Sequence, residues 1–77
     1  MEIQLISFGK VADFLQNQQL QLEGIFNTDQ LCAHLENSFP QLATMKYKLA
    51  VNQKLIQENT QINNNDSIAI MPPFSGG

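Results

Sequence analysis

Arginine and tryptophan are absent from this chain of 77 residues, and cysteine and histidine occur once each. Each shortage excludes something. Without arginine there is no planar fork to hold a phosphate or carboxylate at two points. Four basic residues stand against seven Asp and Glu, a net charge of −3, so the basic footprint of a nucleic-acid binder is missing as well. Cys32 has no partner for an internal disulfide, and a lone thiol suits a reducing compartment such as the cytosol. Cys32 and His34 are too few to build a metal site. They lie two apart on a predicted helix, a spacing that does not share a face. Cys32 is expected to act as a small buried hydrophobe and His34 to face solvent. No apolar run approaches the ~20 residues of a membrane span, and no signal peptide opens the chain. The expectation is a cytoplasmic protein that touches neither membrane nor nucleic acid. It carries no metal or bound cofactor, and a single histidine and no glycine-rich phosphate loop leave it no internal catalytic set.

The chain has the length of one domain, residues 1–77, near the lower limit for unaided folding. Its core can supply a net stability on the order of 3–5 kcal/mol. In EIQLISF, Ile3, Leu5 and Ser7 alternate with Glu2, Gln4, Ile6 and Phe8, the period of a strand. KVADFLQN places Val11, Phe14 and Leu15 at helical spacing over one or two turns. QLQLEG alternates again and ends at Gly24, which predicts a second strand hairpinned to the first. The longest helix is predicted over NTDQLCAHLENSFP. Asn27 caps it, with Thr28 as the rival cap, and Gln30 completes a capping-box pattern. Leu31, Leu35 and Phe39 form its buried stripe, and Pro40 discourages continuation. YKLAVNQKLI reads as two short strands around an Asn52-Gln53 turn, with Leu49 and Val51 on one face. DSIAIM is a last strand with Ile68 and Ile70 inward, ended by Pro72-Pro73. One main helix across a small mixed sheet is an α+β architecture.

Two features carry chemistry or recognition. Ile6, Phe8 and Met71 point away from the predicted core face, with Leu55 as a further candidate. These residues fit either a docking surface or an ordinary two-sided core. The second feature is the ending, MPPFSGG. Pro72-Pro73 stiffen its root, and the chain beyond Met71 can reach roughly 15–20 Å at ~3.3 Å per residue. Gly76 and Gly77 can thread a channel too narrow for other residues. The terminal carboxylate is the reactive group at the tip, and adenylation would turn it into an activated carbonyl. A frayed end is the plain alternative.

Three stretches together, SFGKVADFL, LAVNQ and DSIAIMPPFSGG, resemble the small subunit of molybdopterin synthase, the MoaD family. The family's proline pair, variable residue, Ser or Thr, and Gly-Gly match Pro72, Pro73, Phe74, Ser75, Gly76 and Gly77 position for position. The resemblance implies a ubiquitin-like β-grasp with a flexible Gly-Gly tail at residues 72–77, acting as a sulfur carrier and not catalytic alone. A ubiquitin-activating-type enzyme would use ATP to adenylate the Gly77 carboxylate. A sulfur donor protein would then convert it to a thiocarboxylate, a C-terminal thioglycine. The tail would enter the large subunit of a heterotetrameric synthase and give its sulfur to cyclic pyranopterin monophosphate. Phe8, Leu55 and Met71 stand where the family meets its partners. Ala12-Asp13 replaces an Arg-Glu pair that is frequent in the family, so one polar contact to the adenylating enzyme is not expected. The alternatives are a thiamine-type (thiazole) sulfur carrier, and a ubiquitin-like modifier or binding module.

Overall fold

The computed structural model of the chain describes residues 1–73. Strand β1 (Glu2–Ser7) leads through a 3-10 helix (Gly9–Asp13) to β2 (Gln18–Gln21). Helices α1 (Thr28–Ser38) and α2 (Pro40–Ala43) follow, then β3 (Lys48–Val51), β4 (Lys54–Leu55) and β5 (Ser67–Met71). The sheet runs in the order β2-β1-β5-β3-β4. β1 and β5 pair in parallel; the other neighbours are antiparallel. The expected α+β arrangement of one main helix and a small mixed sheet is present.

Local chemistry accounts for the elements. Asn27 caps α1 by accepting a hydrogen bond from the Gln30 backbone N–H at 2.9 Å. Gln30 completes the box one residue further out than expected, accepting from the N–H of Phe26 at 2.7 Å. Thr28, the rival cap, is buried inside the first turn, where its hydroxyl accepts from the Thr60 N–H. The β3–β4 turn puts both Asn52 (φ 50°) and Gln53 (φ 72°) in the left-handed region, the geometry of a tight hairpin. The segment GKVAD forms a 3-10 helix, the usual form of so short a helical piece.

Four details depart from expectation. Pro40 does end α1, yet it also opens α2 at a first-turn position, where its missing N–H costs nothing. Phe39 therefore caps the helix and is half-buried instead of completing the stripe. β2 closes at Gln21 rather than running to Gly24. Cys32 is half-buried, not fully enclosed.

The core lies on one face of the sheet. Ile3, Leu5, Leu49, Ile68 and Ile70 meet Leu31 and Leu35 of α1, Leu42 of α2, and Val11 and Leu15 beyond β1. Each fully buried aliphatic side chain contributes about 1.5–3 kcal/mol relative to exposure. Among the described residues, Ser7 Oγ is buried without a hydrogen-bond partner. Its neighbour on the ladder is Ile70, so the hydroxyl sits among aliphatic groups. Replacing it removes an uncompensated desolvation cost. Ser7→Ala is expected to be neutral or to stabilise the fold by up to about 1 kcal/mol, read from the urea midpoint. A loss of that size would show that the hydroxyl is satisfied after all.

Candidate docking face and tail root

The face of the sheet opposite the helices is built by register. Cross-strand partners share a face, so Ile6 with Ala69, Ala69 with Ala50, and Ala50 with Leu55 make one row across four strands. A second row lies one pleat further along. There Met71 pairs with Lys48, and Phe8 extends the β1 ladder through its N–H to the Ile70 carbonyl at 3.0 Å. The two alanines keep the middle low while Ile6, Phe8 and Met71 stand beside it. The result is a shallow trough of about 280 Å³, lined by these five residues with Gln53 and Ser67.

The sequence-predicted residues fall into place unequally. Phe8 is 50% exposed, and Met71 and Ile6 are half-buried beside it in the trough. Leu55 is 49% exposed and shares the face, but it sits at the far end of its row on edge strand β4, outside the trough. Pro72 is half-buried and Pro73 exposed directly after β5. Phe74, Ser75, Gly76 and Gly77 lie outside the described residues. Ala12 and Asp13 are exposed at the end of the 3-10 helix. Ala50, Ala69, Ser67 and Gln53 were not anticipated as lining residues. Alternation within one strand gives the face of each residue, but only the strand order brings them together.

Among the described residues no group of three or more His, Cys, Asp or Glu is placed to hold a metal ion. Asp66 is occupied structurally, accepting from the Asn63 N–H at 2.8 Å and from Asn52 Nδ2 at 3.0 Å. His34 is exposed on α1. Cys32 lines a separate groove of about 530 Å³ with Thr28, Tyr47 and Ile56. Burial raises the pKa of its thiol, against a smaller opposing effect of the neighbouring Tyr47 hydroxyl. A raised pKa makes a poor nucleophile. The Tyr47 hydroxyl, which donates to Glu36 Oε2, is itself pushed well up by burial and by that bond. Among the described residues no helix is long and apolar enough to cross a membrane.

A five-stranded mixed sheet, centred on a parallel pair from the two ends of the chain and covered on one face by a main helix, is a ubiquitin-like β-grasp. Solved structures share it. A Pyrococcus furiosus protein described as a molybdopterin converting factor, subunit 1, superposes with a TM-score of 0.82 at 11% identity, over 94% of this chain and 97% of that one. SAMP1 from Haloferax volcanii gives 0.77 at 16% identity, over 100% of both chains. The HVO 2177 protein of the same organism gives 0.82 at 16% identity, over 100% of this chain and 87% of its own. At these identities the likeness establishes the fold. The family model for the ThiS family matches residues 5–77, and the chain belongs to that family.

Proposed function

We propose that the chain is the sulfur-carrying small subunit of a molybdopterin synthase, with the Gly77 carboxylate as its working group. One observation carries the reading: the tail is rooted on β5, the central strand, whose last outward side chain, Met71, also lines the open trough. A partner seated on that face lies next to the start of the tail. In the first step a Gly77 carboxylate oxygen attacks the α-phosphorus of ATP held by an adenylating enzyme, and pyrophosphate leaves. A sulfur nucleophile, hydrosulfide in the simplest case, then attacks the acyl carbon. AMP leaves, and the product is the thiocarboxylate. This chain supplies the acyl group and the docking face; the partners supply the catalytic groups. Transfer to cyclic pyranopterin monophosphate takes place in the large subunit, with Pro72 to Ser75 lying along its channel.

The experiment is intact-mass measurement after incubation with ATP, sulfide and the adenylating enzyme of the source organism. One oxygen replaced by sulfur at Gly77 is the expected result. An unchanged mass with an active partner overturns the carrier reading. The match to the ThiS family model supports a second reading, a thiazole-type carrier with the same thiocarboxylate and a different acceptor. The two separate on which large partner binds the trough and consumes the sulfur.

A further inference from the structure

We propose that Gly9 is a positioning residue for the tail: the bare backbone at the corner after β1 is the seat of the Pro72 ring, and that seat sets where the chain leaves the sheet. The proposal rests on the carrier reading above. Gly9 has φ +59°, in the left-handed region that favours glycine. A Cβ built on it would lie 2.7 Å from Pro72 Cγ and 3.1 Å from Pro72 Cδ. The first distance is well inside contact. Cγ can yield only by the small change of ring pucker, and Cδ is bonded directly to the backbone nitrogen, so a side chain at position 9 presses on the Pro72 backbone. The corner is held from the other side too. The Phe8 N–H donates to the Ile70 carbonyl at 3.0 Å, which locks the residue before Gly9 to the strand that ends before Pro72. Displacement therefore falls on Pro72 and Pro73, past the end of the held strand.

Gly24 provides a matched control. Its φ is +72°, and nothing lies within 4 Å of an added Cβ. Gly24→Ala imposes the same left-handed strain with no collision. The two substitutions differ in the feature at issue, contact with the tail root.

The test compares Gly9→Ala, Gly24→Ala and the double variant Gly9→Ala/Pro72→Ala, whose residue 72 has neither Cγ nor Cδ. Adenylation is followed by ATP–pyrophosphate exchange at saturating carrier, and affinity for the adenylating enzyme by calorimetry. Gly24→Ala should exchange at the native rate. Gly9→Ala should lower the saturated rate by about tenfold or more, the scale of a misplaced reacting group. Its affinity should stay within about threefold, because the trough is intact. The double variant should recover most of the rate, a coupling that backbone strain at Gly9 would not produce. A native rate for Gly9→Ala, or no recovery in the double variant, overturns the role of Gly9 while leaving the carrier reading in place. Failure of the native chain to be adenylated overturns both. The seat itself has an independent readout: nuclear Overhauser contacts between Gly9 Hα and the Pro72 ring, whose absence in the native protein overturns the proposal without reference to activity.

Discussion

Deleting Gly77 is expected to abolish adenylation and sulfur transfer outright while the domain stays folded. The core side chains of the described residues run no further along the chain than Ile70, so removing the last residue leaves their packing untouched. The deletion moves the carboxylate back by one residue, up to ~3.5 Å along an extended chain, out of line with the phosphorus it must attack. Gly76→Val should cripple both steps for a different reason: its branched side chain narrows the backbone angles and widens the chain where a channel must close around it. Docking through the sheet should largely survive in both variants. Replacing Pro72-Pro73 with glycines should be milder, since it only raises the entropy lost when the tail is ordered. Partner affinity and sulfur transfer are measured separately for each variant. Sulfur delivery by a chain without Gly77 would falsify the assignment of this carboxylate as the carrier group.

The second large effect is expected at Met71. Met71→Asp should weaken binding of the large partner by at least about 2 kcal/mol, roughly thirtyfold in Kd, the size of an interface hot spot. Met71 lines the trough and lies opposite Lys48 on β3. In the free protein the new carboxylate faces that lysine across the ladder, an arrangement that is neutral or mildly favourable for folding. In the complex it is stripped of water, which costs far more than an exposed pair returns. Phe8→Asp should act in the same direction from the adjacent strand. Leu55→Asp should act less, because Leu55 stands at the sheet edge away from the trough. Circular dichroism checks the fold, and calorimetry checks affinity. An unaltered Kd for a folded Met71→Asp variant places the interface on another surface.

The elements legible in the sequence are those whose cause is local. Alternation through β1 separates Ile3 and Leu5 from Ile6 and Phe8, and the separation stands. Asn27 and Gln30 lie three apart and cap the same helix end. Asn52-Gln53 between two apolar runs marks a hairpin without any glycine. What stayed hidden depends on groups distant in sequence. Pro40 carries two meanings, helix stop and helix start, and the choice is made by Leu42 finding the core. The trough needs Ala69 to stand between Ile6 and Ala50, which follows from strand order and not from any one strand. The groove beside Cys32 joins α1 to β3 and to residues 56–59, and its lining shows no pattern along the chain. The contact between Gly9 and Pro72 joins the two ends of the molecule. Its local trace is only a glycine in one place and a proline in another.

The placement of β5 in the middle of the sheet governs the order in which the protein can be made. The β1–β2 pair and the β3–β4 pair meet only through β5. A two-stranded hairpin is marginal in water by itself. A nascent chain that has emerged only as far as β4 therefore holds two strand pairs and the helices, with an unfilled gap in the sheet. The gap closes when Ser67–Met71 slides in, parallel to the first strand made. That pairing spans nearly the whole chain, the kind of non-local contact that slows folding. The strand that completes the sheet is thus the same strand that hands on to the tail.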